Sequence, residues 1–151
     1  ATNRALVTTL AGRPDVISAR TLIRSKQPNT HAELDRVLGF LDSALSPTPN
    51  NGVFFRADGA ANWFAVTRAG GVETATDTGQ ALDNAWRTFE IRQTGSILVS
   101  FLIDGVVVAT HQTNIPAADL MLRAGIMDSG AGTAAVNNYL DVDYARVQGD
   151  R

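Results

Sequence analysis

The chain has 151 residues, 44% of them hydrophobic and 19% charged, which is the length of one domain with enough apolar material for one core. Thirteen Lys and Arg against fifteen Asp and Glu leave a formal net charge of −2, which gathers no phosphates and argues against nucleic-acid binding. No apolar run approaches the roughly 18 residues of a membrane span, and the absence of cysteine excludes disulfides, thiolate metal sites and cysteine nucleophiles.

Residues 1–15 carry weak signals. Leu6, Val7 and Leu10 fit either an extended arm or a first strand, and Arg13-Pro14-Asp15 reads as a turn into a strand over 16–24. No signal-peptide pattern opens the chain and Ala1 fits an initiator Met removed after synthesis, so synthesis in the cytoplasm is expected. The next segment reads two ways. Thr30-His31-Ala32-Glu33 is a capping box, and Leu34, Val37, Leu38, Leu41 and Leu45 follow at helical spacing, which predicts an amphipathic helix over 31–45. Gly39 in its centre costs about 1 kcal/mol relative to Ala, and the same residues can be cut as a strand over 36–42 after a loop.

Beyond residue 50 strands and tight turns dominate. Gly52 to Ala57 leads through Asp58-Gly59 to Asn62 to Arg68, which turns through Ala69-Gly70-Gly71 into Val72 to Thr76. In Trp86 to Ile91, Phe89 and Ile91 form the inward set. Ile97, Val99, Phe101 and Ile103 keep period 2, Asp104-Gly105 supplies the two positive-φ residues of a type I′ turn, and Val106 to Thr110 returns as the partner strand. Leu122, Ala124 and Ile126 alternate before a Gly-rich loop, and Leu140, Val142 and Tyr144 after it. No repeat or linker divides the chain, and this spacing predicts a single all-β sandwich or barrel.

Chemistry-bearing constellations are sparse. Asp141 and Asp143, two residues apart, share one strand face as a two-carboxylate glycosidase requires, but Leu140, Val142 and Tyr144 occupy the other face and make the aspartates a solvated surface. The Glu-rich E-x-D-x-x-E strand of sandwich-type glucanases is missing, and Glu33, Glu73 and Glu90 do not approach its spacing. His31 and His111 have no G-x-S-x-G elbow to serve, and Gly130-Ala131-Gly132-Thr133 lacks the lysine of a phosphate loop. Asp58, Asp77, Asp83, Asp104 and Asp128 offer oxygen ligands without a dedicated calcium-loop spacing, so no metal and no cofactor is expected. For a sugar, exposed rings beside hydrogen-bonding side chains are needed. Trp63, Trp86 and Tyr139 are the rings available, and Trp63 with Asn62 and Arg68 is the candidate glycan platform.

The order of several segments resembles a known family. Arg36-Val37-Leu38-Gly39-Phe40-Leu41-Asp42 with Asn51-Gly52-Val53-Phe54-Phe55-Arg56, then Asn62-Trp63-Phe64-Ala65-Val66-Thr67-Arg68 and Val72-Glu73-Thr74-Ala75-Thr76-Asp77-Thr78-Gly79, are similar to strand pairs of concanavalin A-like (laminin-G-like) jelly-roll domains in tailed-bacteriophage virion proteins. Trp86 to Ile91, Val99 to Pro116 and Leu140 to Tyr144 extend the likeness over residues 36–147. The resemblance implies two packed antiparallel sheets, a strand in place of the helix, and 16–151 as one jelly roll preceded by an N-terminal arm or first strand at 1–15. It supplies no catalytic residues.

What it implies for function is a non-enzymatic virion structural protein, a capsid decoration or accessory protein or a tail or fibre component, located in the virion. Its partners would be the major capsid protein or other virion proteins, in a homo-oligomer for which a trimer suits a lattice. Arg4, Arg13, Arg20 and Arg24 are then the candidate partner contacts, since Arg makes multidentate interface contacts and the chain carries twelve Arg to one Lys. The alternative is a carbohydrate-binding module for host surface glycans, using Asn62, Trp63 and Arg68.

Overall fold

The computed structural model describes residues 5–8, 16–25, 34–59, 61–83, 85–128 and 138–148, with side chains placed over 34–59, 61–83 and 85–127 and at Asp143 and Ala145. Among them are eleven strands and no helix. In chain order these are β1 (Ala5–Thr8), β2 (Val16–Ser25), β3 (Leu34–Leu41), β4 (Gly52–Asp58), β5 (Asn62–Ala69), β6 (Val72–Ala81), β7 (Arg87–Thr94), β8 (Leu98–Ile103), β9 (Val106–His111), β10 (Met121–Asp128) and β11 (Asn138–Gln148). They form a six-stranded sheet in the order β1-β10-β3-β4-β5-β6 and a five-stranded sheet in the order β11-β2-β7-β8-β9. Every neighbouring pair is antiparallel.

The core lies between the sheets. Leu38, Phe40, Val53, Phe55, Trp63 and Ala65 from one sheet meet Phe89, Ile91, Val99, Phe101 and Ile103 from the other. Phe55 is the pivot, with edge-on rings at 5.0 Å from Phe89 and 5.3 Å from Phe101, a geometry the ring quadrupoles favour.

The segment with two readings is a strand. Every residue of β3 is buried, because Leu38 and Phe40 face the inter-sheet core while Val37 and Leu41 belong to a second cluster with Phe54, Val66 and Met127 on the other face of the same sheet. A strand apolar on both faces mimics helical spacing: Leu34 and Leu38 fall on one face, Val37 and Leu41 on the other. Leu45, the last member of that pattern, packs on the second cluster from the loop after β3. Gly39, with φ of +149°, is where β3 passes closest to β4, since a Cβ there would stand 2.5 Å from the Phe54 Cα. The capping box lies outside the described residues.

The expected hairpins form, with Asp104 (φ 52°) and Gly105 (φ 81°) turning β8 into β9 as a type I′ turn demands. Two alternations break. Ile97 is exposed in the turn before β8, and the pairing of β8 with β9 shifts register between Phe101 and Leu102, so Val107 is exposed while Ala109 and His111 are buried. Residues 5–8, within the segment expected as an arm or first strand, pair as β1 with β10 at the edge of the six-stranded sheet.

Candidate functional site

The outward face of β4, β5 and β6 gathers the polar chemistry. On β5 the inward residues are Trp63, Ala65 and Thr67, so period 2 turns Asn62, Phe64, Val66 and Arg68 outward. Phe64 and Arg68 are partly exposed, and Val66 is buried beneath its neighbours. Register sets Phe64 opposite Asp77, Val66 opposite Ala75 and Arg68 opposite Glu73. Four residues of strand separate the first pair from the last, about 13 Å, the reach of a chain of linked groups and not of a single small one.

One end of this strip is an ion-pair array. Arg56 on β4 reaches over β5 and holds both Glu73 oxygens, Nη1 to Oε2 and Nη2 to Oε1 at 2.9 Å each. Arg68 Nη1 donates to Oε2 at 3.1 Å, Arg56 Nη1 also donates to the Pro47 carbonyl at 3.0 Å, and Asp58 stands 3.3 Å from Arg56 Nε. Burial by itself would raise the Glu73 carboxyl, but the hydrogen bonds and charge of Arg56 and then Arg68 outweigh it, and its pKa lies below the ordinary value. Glu73 is therefore ionised at neutral pH, an acceptor of hydroxyl hydrogen bonds and a poor proton donor. At the other end Asn62 Nδ2 donates to both Asp77 oxygens, at 3.1 and 3.2 Å.

The loop and turn at the array's rim are fixed to each other. Asn51 donates to Asp42 Oδ2 at 2.7 Å and accepts from the Gly70 amide at 2.9 Å, while the Gly71 amide donates to the Asn50 carbonyl at 2.8 Å. These bonds tie the β3–β4 connection to the β5–β6 turn, so Arg68 and Glu73 stand on a clamped hairpin.

The candidate glycan trio divides. Asn62 and Arg68 belong to this strip, but Trp63 does not: it is 3% exposed in the core, with its ring 4.9 Å from Phe89. The correction follows from alternation, which puts residue 63 on the opposite face from 62 and 68. Phe64, Arg56 and Glu73 were not among the expected residues; the same alternation marks Phe64, whereas the Arg56–Glu73 contact joins strands on either side of β5 and has no local signature. Of the partner-contact arginines, Arg4 and Arg13 lie outside the described residues, and Arg20 and Arg24 are on β2, in register with Thr88 and Tyr139. Asp143 is exposed and falls at the register shift of β11 between Val142 and Tyr144, and the side chain of Asp141 lies outside those described. Asp58, Asp77, Asp83 and Asp104 are spread among Arg and Asn partners, and the described residues hold no cluster of three metal-ligating side chains.

A second polar group lies between the sheets. His111, 3% exposed on β9, sits between Thr67 on β5 and Thr76 on β6, each hydroxyl 2.9 Å from a ring nitrogen. Thr67 spends its proton on the Thr113 carbonyl at 3.0 Å. It must accept from Nδ1–H, which leaves Nε2 to accept from Thr76. Desolvation lowers the His111 pKa, and with both ring nitrogens engaged the imidazole is a strut between sheets.

Two antiparallel sheets packed face to face in this strand order define the chain as a concanavalin A-like jelly-roll sandwich. Over residues 1–143 its sequence matches the family "SO2946-like, C-terminal domain", and the chain belongs to that family. No curated protein matches it in sequence. Among solved structures it is similar to a glycosidic hydrolase, with TM-score 0.72 and 11% identity over 97% of this chain and 70% of the other. A Bacillus licheniformis β-glucanase gives TM-score 0.71 and 10% identity over 98% and 78% of the two chains. Galectin LEC-6 of Caenorhabditis elegans gives 0.54 and 15% over 98% and 91%.

These likenesses correct the expectation that the protein is not an enzyme. The same sandwich is the fold of a glycosidic hydrolase and a β-glucanase, so the architecture gives no ground for excluding catalysis. None of these three structures is named as a virion protein. The capsid-lattice role, its partners and the trimer rest on the resemblance alone.

Proposed function

We propose that this domain recognises a carbohydrate chain along the outward face of β5 and β6. The observation that carries the reading is the strip from Asn62 and Asp77, past Phe64, to the Arg56–Glu73–Arg68 array. Sugar hydroxyls donate and accept at once, so they need fixed donors and acceptors side by side; the guanidinium groups supply the first, Glu73 and Asp77 the second, and Phe64 an apolar surface for a ring face. Hydrogen bonds within the array fix its side chains relative to one another, which lowers the ordering cost of binding. The fold shared with a β-glucanase and a galectin supports a glycan as the ligand.

The test is titration calorimetry of the purified domain against a panel of neutral and sulfated oligosaccharides, with chain shortening followed in the same samples. Arg68→Ala and Glu73→Gln are each expected to weaken binding by about tenfold or more. An absence of binding across the panel, or binding indifferent to both substitutions, overturns the reading.

A further inference from the structure

Glu73 holds a position that a bound anion would otherwise take. Arg56 presents its fork to both Glu73 oxygens at 2.9 Å, and Arg68, opposite Glu73 on the neighbouring strand, shares Oε2 at 3.1 Å. Two-toothed contact of this kind is how guanidinium groups hold carboxylates, sulfates and phosphates. The two arginines therefore form an anion clamp that the chain fills with its own carboxylate. Arg56 has little left to offer a ligand. Its Nη1 also donates to the Pro47 carbonyl at 3.0 Å, Asp58 stands 3.3 Å from Nε, and the side chain is 10% exposed.

We infer that Glu73 sets the charge class of the strip, committing it to uncharged saccharides and refusing sulfated or uronic ones; the inference rests on the glycan reading of the same site. Three physical points lead there. Arg56 and Arg68 stand against Asp58, Glu73 and Asp77, a net of one negative charge, so an incoming anion meets no unbalanced cation. To engage both guanidinium groups a sulfate would have to displace Glu73, which would leave two anions side by side and break a part-buried pair. Repulsion of the wrong ligand is as effective a source of specificity as attraction of the right one. A hydroxyl meets neither obstacle. Glu73 receives three hydrogen bonds for about four acceptor sites, and Arg68 commits only Nη1 among the described residues, so a donor and an acceptor remain side by side for it. The Glu73 pKa lies below its ordinary value, so the refusal holds across the neutral range.

Inorganic sulfate tests the clamp apart from any sugar. The arginine side-chain N–H signals of the protein are followed by NMR during titration with sodium sulfate at constant ionic strength. Those of Arg56 and Arg68 are expected to stay still in the wild type and to move saturably in Glu73→Gln, which empties the clamp. In calorimetry, neutral oligosaccharides are compared with O-sulfated counterparts of the same backbone and length. The wild type is expected to favour the neutral member by about tenfold or more, and Glu73→Gln to lose or reverse that preference. Should Glu73→Gln not fold, the wild-type comparison decides by itself. Arginine signals that respond alike in both proteins, sulfated sugars bound by the wild type as tightly as neutral ones, or a preference unchanged in Glu73→Gln each overturn the inference. If neutral binding then still needs Arg68, the glycan reading stands without it. Saccharide binding absent from both proteins removes the glycan reading, and the choice of neutral saccharides with it, whatever sulfate does to the arginine signals.

Discussion

Thr67 and His111, 44 residues apart in sequence, bring Oγ1 and Nδ1 to 2.9 Å and so join β5 of one sheet to β9 of the other. Burial favours the neutral imidazole, whose Nδ1–H donates to Thr67 and whose Nε2 accepts from Thr76. A histidine whose folded pKa is lowered stabilises fully above its unfolded value, and the contribution falls as pH drops below it. Denaturant unfolding is therefore expected to show stability declining from about pH 6.5 downward, and His111→Gln should lack that slope. A wild-type profile flat between neutrality and pH 5 would contradict the assignment.

Glu73 acts at lower pH. Its folded pKa lies below the ordinary 4.5, so its contribution is present above that value and is lost as pH falls through the folded one. Glu73→Gln leaves Arg56 and Arg68 facing each other without a shared carboxylate, which should cost on the order of 1–2 kcal/mol at neutral pH and flatten the acid limb. Thermal and urea unfolding of the variant from pH 7 to 3 measure both effects.

Gly39→Ala tests the passage of β3 against β4. The new Cβ would lie 2.5 Å from both the Phe54 Cα and the Val53 carbonyl oxygen, backbone atoms that cannot swing aside. A loss of about 3 kcal/mol or more is expected in urea unfolding. A loss near the few tenths typical of exposed sites would mean that the strands do not approach so closely.

Arg36 is 0% exposed, with the inward parity of Leu38 and Phe40. Nη1 donates to the Leu34 carbonyl at 3.2 Å, while Nε and Nη2 have no hydrogen-bond partner among the described residues. Desolvation lowers its pKa against the opposing charge of Asp35. Replacing such a group by an apolar one of similar length removes the desolvation cost, so Arg36→Met should raise stability by about 1–2 kcal/mol. A destabilised Arg36→Met protein would instead show that the guanidinium is needed there.

The sequence is most legible where period and turn chemistry agree. Asp104-Gly105 between two alternating runs is such a place, and β8 and β9 form where they are expected. Legibility fails where a residue's neighbours lie on other strands. Leu34, Val37, Leu38 and Leu41 fit a helix because β3 is covered on both faces, and that cover comes from Phe54, Val66 and Leu45 elsewhere in the chain. The candidate site is half legible. Residue type alone points to Asn62 and Arg68, whereas grouping Trp63 with them by closeness in sequence runs against the alternation of its own strand. Arg56 and Glu73 meet across an intervening strand, a relation that exists only once the sheet order does.

The ten residues of β6 close the six-stranded sheet, with no strand beyond them among the described residues. A long bare edge of this kind ordinarily templates fibrillar stacking. Here each copy would bring Glu73 and Asp77 against the same carboxylates of the next, and the pairing of β6 with β5 shifts register between Asn62 and Phe64, an irregularity that disfavours a straight ladder. Glu73 and Asp77, the carboxylates of the proposed glycan strip, would thus also oppose edge-to-edge self-assembly.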